Sequence, residues 1–345
     1  MRTEYFAAAN SGDGFVSYYD AIFGREEIER RYLIKGGPGT GKSSLIRACA
    51  ARAEGQGGSV EYYRCSSDPD SLDGIIIGGK IAVFDATAPH AAEAVLPGVR
   101  DETVDLGQFW NSARLRENRQ EIISLNREKK NCYKRAYDFL AAAKAVERGI
   151  SNLTEPLIMG EKLDRAVTRL MRCAGEGNRF SILPGLVDSI GMKGRLRLST
   201  YERAARVLIC VSDYYGSAHL FFRRVIEAAR KRSLSVRVSY GVVDPTKPNA
   251  VLFTDSGVCF SLCDTDPPSA VSTVNMKRFL MTDRLAAVRG ACREERRVRD
   301  RLLMMAEEAL SYAGIAHLGL ERIYGSSMDF EALGAFTSSF SEHLL

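Results

Sequence analysis

Gly36-Gly37-Pro38-Gly39-Thr40-Gly41-Lys42-Ser43 fits the pattern G-x-x-x-x-G-K-[ST] in full. The apolar run Tyr32-Leu33-Ile34 precedes it and predicts a buried strand. Apolar residues then recur at the spacing of a helix, at Leu45, Ile46, Cys49 and Ala50. Because a strand, a glycine-rich turn and a helix are the context in which this pattern forms a phosphate-binding loop, the stretch predicts an α/β fold.

The residue types in this stretch suit a phosphate tail that carries several negative charges. Glycines let the backbone curl with its N–H groups pointing inward, and a helix from Lys42 to about Ala53 would place its positive end under the phosphates. Lys42 would reach the β- and γ-phosphates, and Ser43 would bind Mg²⁺. The predicted ligand is therefore a nucleoside triphosphate such as ATP, with Mg²⁺. The residues predicted to bind it are Gly36, Gly37, Pro38, Gly39, Thr40, Gly41, Lys42, Ser43 and Ser44.

The composition is that of an ordinary water-exposed globular protein. The 345 residues leave room for two domains, and 45% are hydrophobic and 26% charged. No apolar stretch approaches the roughly 20 residues that span a bilayer, and the first residues lack the apolar core of a signal peptide. We therefore expect a cytoplasmic protein with no membrane partner. Its eight cysteines form no C-x-x-C pair, and we expect reduced thiols.

The net charge of +5 is mildly basic. The densest charge run, from Arg293 to Arg301, mixes both signs, which is typical of a solvated helix face. The charge therefore does not favour nucleic acid as a partner, although a phosphate-tracking surface stays open as an alternative. A homo-oligomer also stays open.

The second half of the chain resembles the first. Leu33-Ile34-Lys35 aligns with Leu208-Ile209-Cys210 at an offset of 175 residues, and each half later enters a long charged stretch, about 111–149 and about 283–319. We predict two tandem, doubly wound α/β units of the P-loop NTPase type with helical extensions, as domains 1–174 and 175–345. Other matched segments are Ser59–Tyr63 with Leu234–Val238, Asp68-Pro69 with Asp244-Pro245, Ile75–Ile77 with Val251–Phe253, Ile81–Phe84 with Gly257–Phe260, and Tyr5-Phe6 with Arg179-Phe180.

The second copy lacks the residues that the phosphate chemistry needs. In this alignment Ser217 stands at the position of Lys42, and Ala218 at that of Ser43. Three loop glycines are replaced by larger side chains, which cannot line a loop that approaches phosphates closely. We expect the second copy to keep the fold with a degenerate phosphate loop, and to pack against the first copy, complete its site or bind something else.

Asp85 ends the apolar run Ile81-Ala82-Val83-Phe84. An aspartate at the end of a strand beside a phosphate-binding loop can hold Mg²⁺ through water, whereas an aspartate that caps a turn is the plainer alternative. The aligned residue of the second copy is Ser261, so the carboxylate is lost together with Lys42. This joint loss favours Asp85 as a metal-binding and catalytic residue.

The stretch from Cys65 to Gly74 carries three carboxylates and follows the second predicted strand. In a doubly wound fold this loop lies at the ligand-binding edge of the sheet. Asp68 with Pro69 recurs in the second copy, so we interpret this pair as a structural turn. Asp73 and Asp70 do not recur, which makes them the better candidates for positioning water or acting as a base, with Asp73 preferred.

Two further segments offer functional candidates. Thr87 or His90 could sense the γ-phosphate, although a histidine in a loop is more often simply solvated. The stretch 111–149 could close over the nucleotide as a lid, or form a helical hairpin that packs the two halves together. Its arginines are candidates for a charge-stabilising finger, and the sequence selects none of Arg114, Arg116, Arg119, Arg127 and Arg135.

Taken together, the phosphate-binding stretch, the string from Cys65 to Gly74 and Thr87-Ala88-Pro89-His90 resemble a poorly characterised bacterial family of tandem-repeat P-loop ATPases. The segments 5–10 and 14–17 are similar to that family's opening, and the resemblance covers essentially the whole chain. It implies ATP binding, hydrolysis and two P-loop units per chain. Members commonly carry a glycine-rich loop in the second half too, and tend to have glycine at the position of Ala86; the first difference argues against a mechanism with two nucleotide sites.

Three functions follow from these observations. The first is a Mg²⁺-dependent ATPase that cleaves the β–γ phosphate bond in the first half and drives a conformational change in the second. The second is a kinase that passes the γ-phosphoryl group to a small molecule or nucleotide held by the Cys65–Gly74 loop. The third is a nucleotide-gated module without catalysis, whose degenerate half binds a protein partner.

Overall fold

The fold is taken from a computed structural model that describes residues 2–90, 92–263 and 270–344. The first half of the chain forms eight strands and five helices in chain order. They are β1 (Arg2–Phe6), β2 (Ala8–Ser11), β3 (Gly14–Ser17), α1 (Tyr19–Phe23), β4 (Arg30–Lys35), α2 (Lys42–Gly55), β5 (Val60–Arg64), β6 (Leu72–Ile77), β7 (Ile81–Asp85), β8 (Asp101–Asp105), α3 (Ser112–Glu117), α4 (Arg119–Thr154) and α5 (Gly160–Leu170).

The described part of the second half repeats this order almost completely. Its elements are β9 (Ile182–Pro184), β10 (Asp188–Gly191), β11 (Gly194–Arg197), α6 (Thr200–Ala204), β12 (Val207–Ser212), α7 (Ala218–Lys231), β13 (Val236–Tyr240), β14 (Pro248–Phe253), β15 (Val258–Leu262), β16 (Ala270–Asn275), α8 (Thr282–Gly325) and α9 (Phe330–His343). Short 3₁₀ turns occur at Leu106–Phe109, Glu155–Leu157, Met171–Ala174 and Met276–Phe279.

Each half builds one six-stranded sheet with the same strand order. The first sheet runs β1-β5-β6-β7-β4-β8 and the second β9-β13-β14-β15-β12-β16. In both sheets one strand, β6 or β14, is antiparallel to its two neighbours, and the other neighbouring pairs are parallel. The prediction of two related α/β units is therefore confirmed, although the sheets are mixed.

The doubly wound arrangement is not what the structure contains. Helix α2 covers one face of the first sheet, with Leu45 and Ile46 buried against Ile34 and Ile75. The opposite face carries Leu33 and Phe84 and shares one apolar core with residues of the second sheet. Because both inner faces are apolar, the two sheets bury these faces towards each other with only the short helices α1 and α6 between them.

The helical extensions end later than predicted, at Thr154 and Gly325, and cross between the halves. Helices α4 and α8 pack side by side in opposite directions, since Leu125 of α4 lies at Gly319 of α8 and Glu295 of α8 lies at Gly149 of α4. Their central contact buries Leu140 of α4 against α8. The stretch 111–149 therefore forms no hairpin of its own: it lies in α3 and in one long helix, α4, which packs the two halves together by pairing with α8.

The helix after each extension covers the other half's sheet. Leu163 and Val167 of α5 are buried in the core around α7, which belongs to the second sheet. Leu333 of α9 is buried in the core around α2, which belongs to the first sheet. The predicted boundary between residues 174 and 175 separates the strands of the two sheets. Each sheet, however, is covered by a helix from the other half of the chain, the first by α9 and the second by α5.

The two halves meet through equivalent surfaces, as the subunits of a symmetric dimer do. The N–H of Gly12, in the β2–β3 turn, donates to Val243 O (3.0 Å), and the N–H of Met192, in the β10–β11 turn, donates to Ser67 O (2.8 Å). The strand pairings also correct two sequence alignments. Val60 faces Ile77 as Val236 faces Phe253, so Ser59–Tyr63 corresponds to Ser235–Ser239, and its alignment with Leu234–Val238 is wrong by one position. Because β1 and β9 pair with equivalent strands, Tyr5 corresponds to Gly185, and its alignment with Arg179 is wrong.

Cys210 on β12 and Cys263 after β15 form a disulfide. The expectation of eight reduced thiols is therefore wrong for this pair, whose Cα atoms lie 5.6 Å apart because their strands are neighbours. The other six cysteines are free. Among the described residues, no helix combines the length and the apolar composition that a membrane span requires.

Candidate functional site

Strands β4 and β7 bring the predicted phosphate loop and Asp85 to one edge of the first sheet. The two strands are parallel neighbours, and Ile34 pairs with Asp85. The loop leaves β4 at this edge, and α2 begins at Lys42. As a result, Lys42 Nζ lies 3.6 Å from Asp85 Oδ2, which brings together two of the three residues predicted to act in catalysis.

The loop has the curled backbone that its glycines allow. Gly39 and Gly41 have φ values of 66° and 87°, in the left-handed region that favours glycine. The Lys42 ammonium lies inside the curl and donates to Gly36 O (3.0 Å) and Gly37 O (2.7 Å). Thr40 Oγ1 also donates to Gly37 O (2.8 Å). These contacts hold a compact loop around a positive charge.

The segment after β7 is tied to the loop. Asp85 Oδ1 accepts a hydrogen bond from the N–H of Thr87 (2.8 Å), and Thr87 Oγ1 donates to Gly36 O (3.1 Å). Ser43 Oγ accepts a hydrogen bond from the N–H of Leu72 (3.0 Å), at the start of β6. Thr87, Ser43 and Asp85 therefore line the same edge as Lys42.

Asp73 lies deep in the site beside His90. It is the extra residue of a β-bulge, because Arg64 pairs with Leu72 while Tyr63 pairs with Gly74, and bulges commonly re-aim side chains next to active sites. Asp73 is only 4% exposed, and its Oδ2 lies 3.4 Å from His90 Nε2. Burial raises the pKa of Asp73, and the nearby His90 only partly offsets this.

Two buried polar atoms at this place, Asp73 Oδ2 and His90 Nδ1, make no hydrogen bond among the described residues, while the Tyr19 hydroxyl interacts with the Asp73 carboxylate. The His90 ring stacks on Tyr19, with ring centroids 4.5 Å apart. Leaving buried polar atoms unpaired costs stability, so a native structure retains them where they serve a function or meet a ligand. His90 is therefore a buried residue of the site, and the solvated alternative is wrong.

The other carboxylates of the loop after β5 have separate places. Lys193 bridges Asp68 (2.7 Å) and Asp70 (2.6 Å), and Asp68 also accepts a hydrogen bond from the Ser71 hydroxyl. Asp70 is exposed and does not line the cavity described below. The expectation that Asp70 is a functional candidate is therefore wrong, because the turn at Pro69 directs it to the surface.

The phosphate loop, Asp73, Asp85, Thr87 and His90 line one cavity of about 1020 Å³. The long helices form a further wall of the cavity, with Lys129, Tyr133 and Tyr137 from α4, and His317 and Glu321 from α8. None of the five arginines predicted as fingers lines the cavity, which instead receives lysines from α4. The sequence held no signal for this wall, because helix packing alone decides which residues of a long helix reach a distant loop.

The phosphate loop is backed by the second half of the chain. A Cβ added to Gly39 would lie 2.7 Å from the backbone oxygen of Glu321, and one added to Gly37 would lie 2.7 Å from the Tyr324 ring. A Cβ on Gly41 would lie 2.6 Å from Leu333. The glycines therefore serve both the loop's curvature and its close contact with α8 and α9.

The equivalent loop of the second half is filled by protein. Tyr215 is buried with Ile150 and Leu280, and Thr154 at the end of α4 hydrogen-bonds to its carbonyl oxygen. Ala218 starts α7 as Lys42 starts α2. The counterparts of Lys42 and Ser43 are thus Ala218 and His219, one position later than aligned. Strand β12 matches β4 two positions later than aligned, with Val211 and not Ile209 at the place of Ile34, and the loop that follows is one residue shorter.

The carboxylate of Asp85 likewise has no equivalent. Strand β12 pairs with β15 so that Val211 faces Leu262, as Ile34 faces Asp85 in the first sheet. Leu262 is therefore the counterpart, and the alignment with Ser261 is wrong by one position. In this register too, the second half lacks the lysine, the hydroxyl and the carboxylate of the first.

No family model, curated protein or solved structure matches this chain. The resemblance to tandem-repeat P-loop ATPases therefore stays a hypothesis drawn from the motifs.

Two side chains at the loop carry oxygen atoms of the kind that Mg²⁺ binds. The described residues contain no group of three histidines, cysteines or carboxylates that could hold a metal ion. Mg²⁺ commonly takes one or two protein oxygen ligands and completes its shell with phosphate and water. The Ser43 hydroxyl and the Asp85 carboxylate, on either side of Lys42, are a donor pair of this kind.

Proposed function

We propose that this protein binds a nucleoside triphosphate with Mg²⁺ at Gly36–Ser43 and hydrolyses its β–γ phosphate bond. The observation that carries the proposal is the meeting of Lys42, Ser43 and Asp85 at one sheet edge, with Lys42 Nζ 3.6 Å from Asp85 Oδ2. The loop backbone would cradle the phosphates, and the N-terminal end of α2 would face them. The motif resemblance to P-loop ATPases supports the same function.

Each residue has a distinct role in this proposal. Lys42 would exchange its contacts with the loop carbonyls for the β- and γ-phosphate oxygens, where it neutralises charge. Ser43 and Asp85 would hold Mg²⁺, which supplies further neutralisation of the phosphate charge when it is bound. Thr87, which bonds to both Asp85 and Gly36, would keep that carboxylate aligned with the loop.

Asp73 would position the attacking water and accept its proton. A base works best when its pKa is close to the working pH, and burial moves the pKa of Asp73 in that direction. His90, 3.4 Å away, would fix the orientation of the carboxylate. The water oxygen then attacks the γ-phosphorus, and the nucleoside diphosphate leaves with the bridging oxygen.

The contacts of the loop supply a route from the nucleotide to the second half. Glu321 and Tyr324 near the end of α8 touch the glycines of the loop, and α8 begins beside the second sheet. A loop that changes shape on hydrolysis would push directly on this helix. The proposed conformational change in the degenerate half would therefore travel along α8.

A kinase is the second candidate, and the size of the cavity favours it. About 1020 Å³ is at the upper end of the roughly 300–1,000 Å³ typical of ligand cavities. Phe15 packs against His90, with ring centroids 4.9 Å apart, and the Tyr133 hydroxyl donates to Ser67 Oγ, so this part of the lining offers both apolar and polar groups. A small acceptor with a hydroxyl group would fit there, next to Asp73.

Release of phosphate from ATP distinguishes these functions. The proposal expects Mg²⁺-dependent release without an added acceptor. Release that requires an acceptor, with the γ-phosphate label transferred to it, would instead establish the kinase, and ATP binding without turnover a nucleotide-gated module. The Asp85→Asn variant should lose most of its Mg²⁺-dependent activity, and full activity in this variant would remove Asp85 from the site.

A further inference from the structure

Lys129 lines the cavity that also contains the phosphate loop, close enough to Lys42 for the two charges to interact. It lies on α4 and lines the cavity together with Asn126, Lys130 and Tyr133, its neighbours on that helix. Lys134, five residues further along the same helix, is exposed and does not line the cavity. The chain therefore brings one half-buried ammonium to the place where a phosphate tail would end.

The Lys129 ammonium has no hydrogen bond or ion pair with any residue that the structure describes. Partial burial lowers the pKa of Lys129, and the positive charge of Lys42 lowers it further. Glu321 is the carboxylate that acts against this, but its side chain is already engaged with His317 (3.5 Å). Lys42 and Lys129 thus face one cavity with only Asp85 in ion-pair contact with either of them.

Two like charges that line one cavity and are partly desolvated destabilise the protein, unless an anion binds between them. A ligand with a single negative charge would be balanced by Lys42 alone. A triphosphate carries charge along its whole tail, so that Lys42 and Lys129 can each meet part of it. The two lysines together therefore favour a polyphosphate over a simple anion.

The position of Lys129 is fixed by its own helix. One turn after Lys129, the Tyr133 hydroxyl donates to Ser67 Oγ (2.9 Å), and one turn later the Tyr137 hydroxyl donates to Asn10 Oδ1 (2.9 Å). Ser67 and Asn10 both belong to the half that carries the loop. These bonds hold the face of α4 against the cavity, so Lys129 is placed before any ligand arrives.

We propose that Lys129 contacts the terminal phosphate of the bound nucleotide and stabilises the charge on the phosphoryl group as the bond to the leaving diphosphate breaks. This inference rests on the proposed function. The water oxygen forms the new bond to phosphorus, Asp73 takes the water's proton, and the bridging oxygen keeps the electron pair of the broken bond. Lys129 stays protonated throughout and serves as the cationic finger, a role for which the sequence analysis considered only arginines and selected none.

The variants that test this are Lys129→Met and Lys129→Arg, with Lys134→Met as the matched control. The expected result is a fall in kcat of about 10²- to 10³-fold in Lys129→Met, the cost of losing one stabilising group, with a smaller change in KM. Lys129→Arg should recover most of the activity, and Lys134→Met should be unchanged. The melting temperature of ligand-free Lys129→Met should not fall, because the change removes a repelling charge.

An unchanged kcat in Lys129→Met would overturn the inference, and so would a loss of activity that follows a lowered melting temperature. If the wild type binds ATP without turnover, Lys129→Met should weaken the binding of ATP at least tenfold and leave the binding of ADP unchanged. Equal effects on the binding of both nucleotides would reject the proposed role of Lys129. If the wild type binds no ATP, the proposed function fails. The role of Lys129 as a phosphate ligand is then tested by the binding of inorganic triphosphate, which the wild type should bind and the Lys129→Met variant should not.

Discussion

Asp73 is a residue whose placement costs stability. Its carboxylate is almost fully buried, and the oxygen facing His90 lacks a hydrogen bond among the described residues. Such a position is retained where function requires it, because active sites are often built against stability. The counterpart in the second half, Asn249, occupies the same bulge of β14 and is uncharged. The chemistry at this position therefore changed together with the loss of the lysine.

The stability of Asp73→Asn should depend on pH in a defined direction. Since the pKa of Asp73 is raised in the folded state, the wild type loses stability as the pH rises from the ordinary aspartate range through that raised value. Asn carries no such charge. We expect Asp73→Asn to be at least as stable as the wild type at pH 8, with a difference that shrinks towards pH 4, while ATP turnover falls by about 10²-fold or more.

Thermal unfolding of both proteins at the two pH values, with phosphate release at pH 8, measures this prediction. A variant that is less stable than the wild type at pH 8 would show that Asp73 is a structural residue. Retained turnover would show that another group positions the water.

The residues nearest the phosphates could be found from the sequence, whereas those facing them could not. Lys42 and Ser43 belong to one local motif, and Asp85 follows because parallel neighbouring strands end at the same edge of a sheet. Lys129 and Glu321 reach the cavity only through the packing of α4 against α8. Helical periodicity indicates which face of such a helix is buried, but not which distant loop it meets.

Helix α9 joins the end of the chain to the phosphate loop. Leu333 is buried among the side chains of α2, including Leu45 and Ile46, and lies against Gly41 at the start of that helix. Asp329 caps the start of this helix, because its carboxylate accepts a hydrogen bond from the N–H of Ala332 (2.9 Å). A helix from the second half therefore forms the support on which α2 rests.

Leu333→Ala should lower the free energy of unfolding by about 2 to 5 kcal/mol, the usual cost of emptying a buried leucine site. It should also weaken ATP binding, since the start of α2 loses its support. Leu318→Ala on α8, where the side chain is 53% exposed, should stay within about 0.5 kcal/mol. Urea unfolding together with ATP titration measures both effects, and an unchanged stability in Leu333→Ala would mean that α9 is not docked.

The sequence predicted the long helices, but not the surfaces against which the helices pack. The stretches 111–149 and 283–319 are amphipathic and charged, as expected of two helices that pack against each other. The structure has the long helices α4 and α8 in these stretches. The exchange of α5 and α9 between the sheets left no local signal, because an apolar helix face fits either of two similar cores. Similarly, the run Ile75–Ile77 suits a buried strand of either direction, so the antiparallel β6 was not foreseen.

The two halves share a buried ion pair between equivalent positions. Glu61 of β5 and Arg237 of β13 are 176 residues apart, which is the repeat offset of these strands. Arg237 Nη2 lies 2.8 Å from Glu61 Oε1, and the guanidinium lies 4.3 Å from the centre of the Tyr5 ring. Identical charges would repel where two equivalent positions meet, so the two copies had to diverge here to bind each other.

Arg237→Met should lower the free energy of unfolding by about 3 to 5 kcal/mol at pH 7, because it leaves Glu61 charged without its partner. Burial alone would raise the pKa of Glu61, but Arg237, the Tyr63 hydroxyl and Arg25 together hold it below its ordinary value. The stabilisation is therefore present above the ordinary glutamate range and is lost as the pH falls through the depressed pKa.

Urea unfolding of Arg237→Met at pH 7 and in acid tests this interface, with Arg230→Met, where the side chain is 63% exposed, as the control. The free energy of unfolding of Arg237→Met should approach that of the wild type in acid. The control should not differ from the wild type at either pH value. A loss of stability that is the same at both pH values would show that Arg237 acts through packing on Tyr5 rather than through its charge.

Calorimetric titration of the protein with ATP and Mg²⁺ tests most directly whether one half of this tandem fold keeps a nucleotide site that the other has lost. We expect one nucleotide per chain, no binding in Lys42→Ala, and unchanged binding in Ser217→Ala, which alters the corresponding loop of the second half. Two nucleotides per chain, or binding that survives Lys42→Ala, would contradict this account.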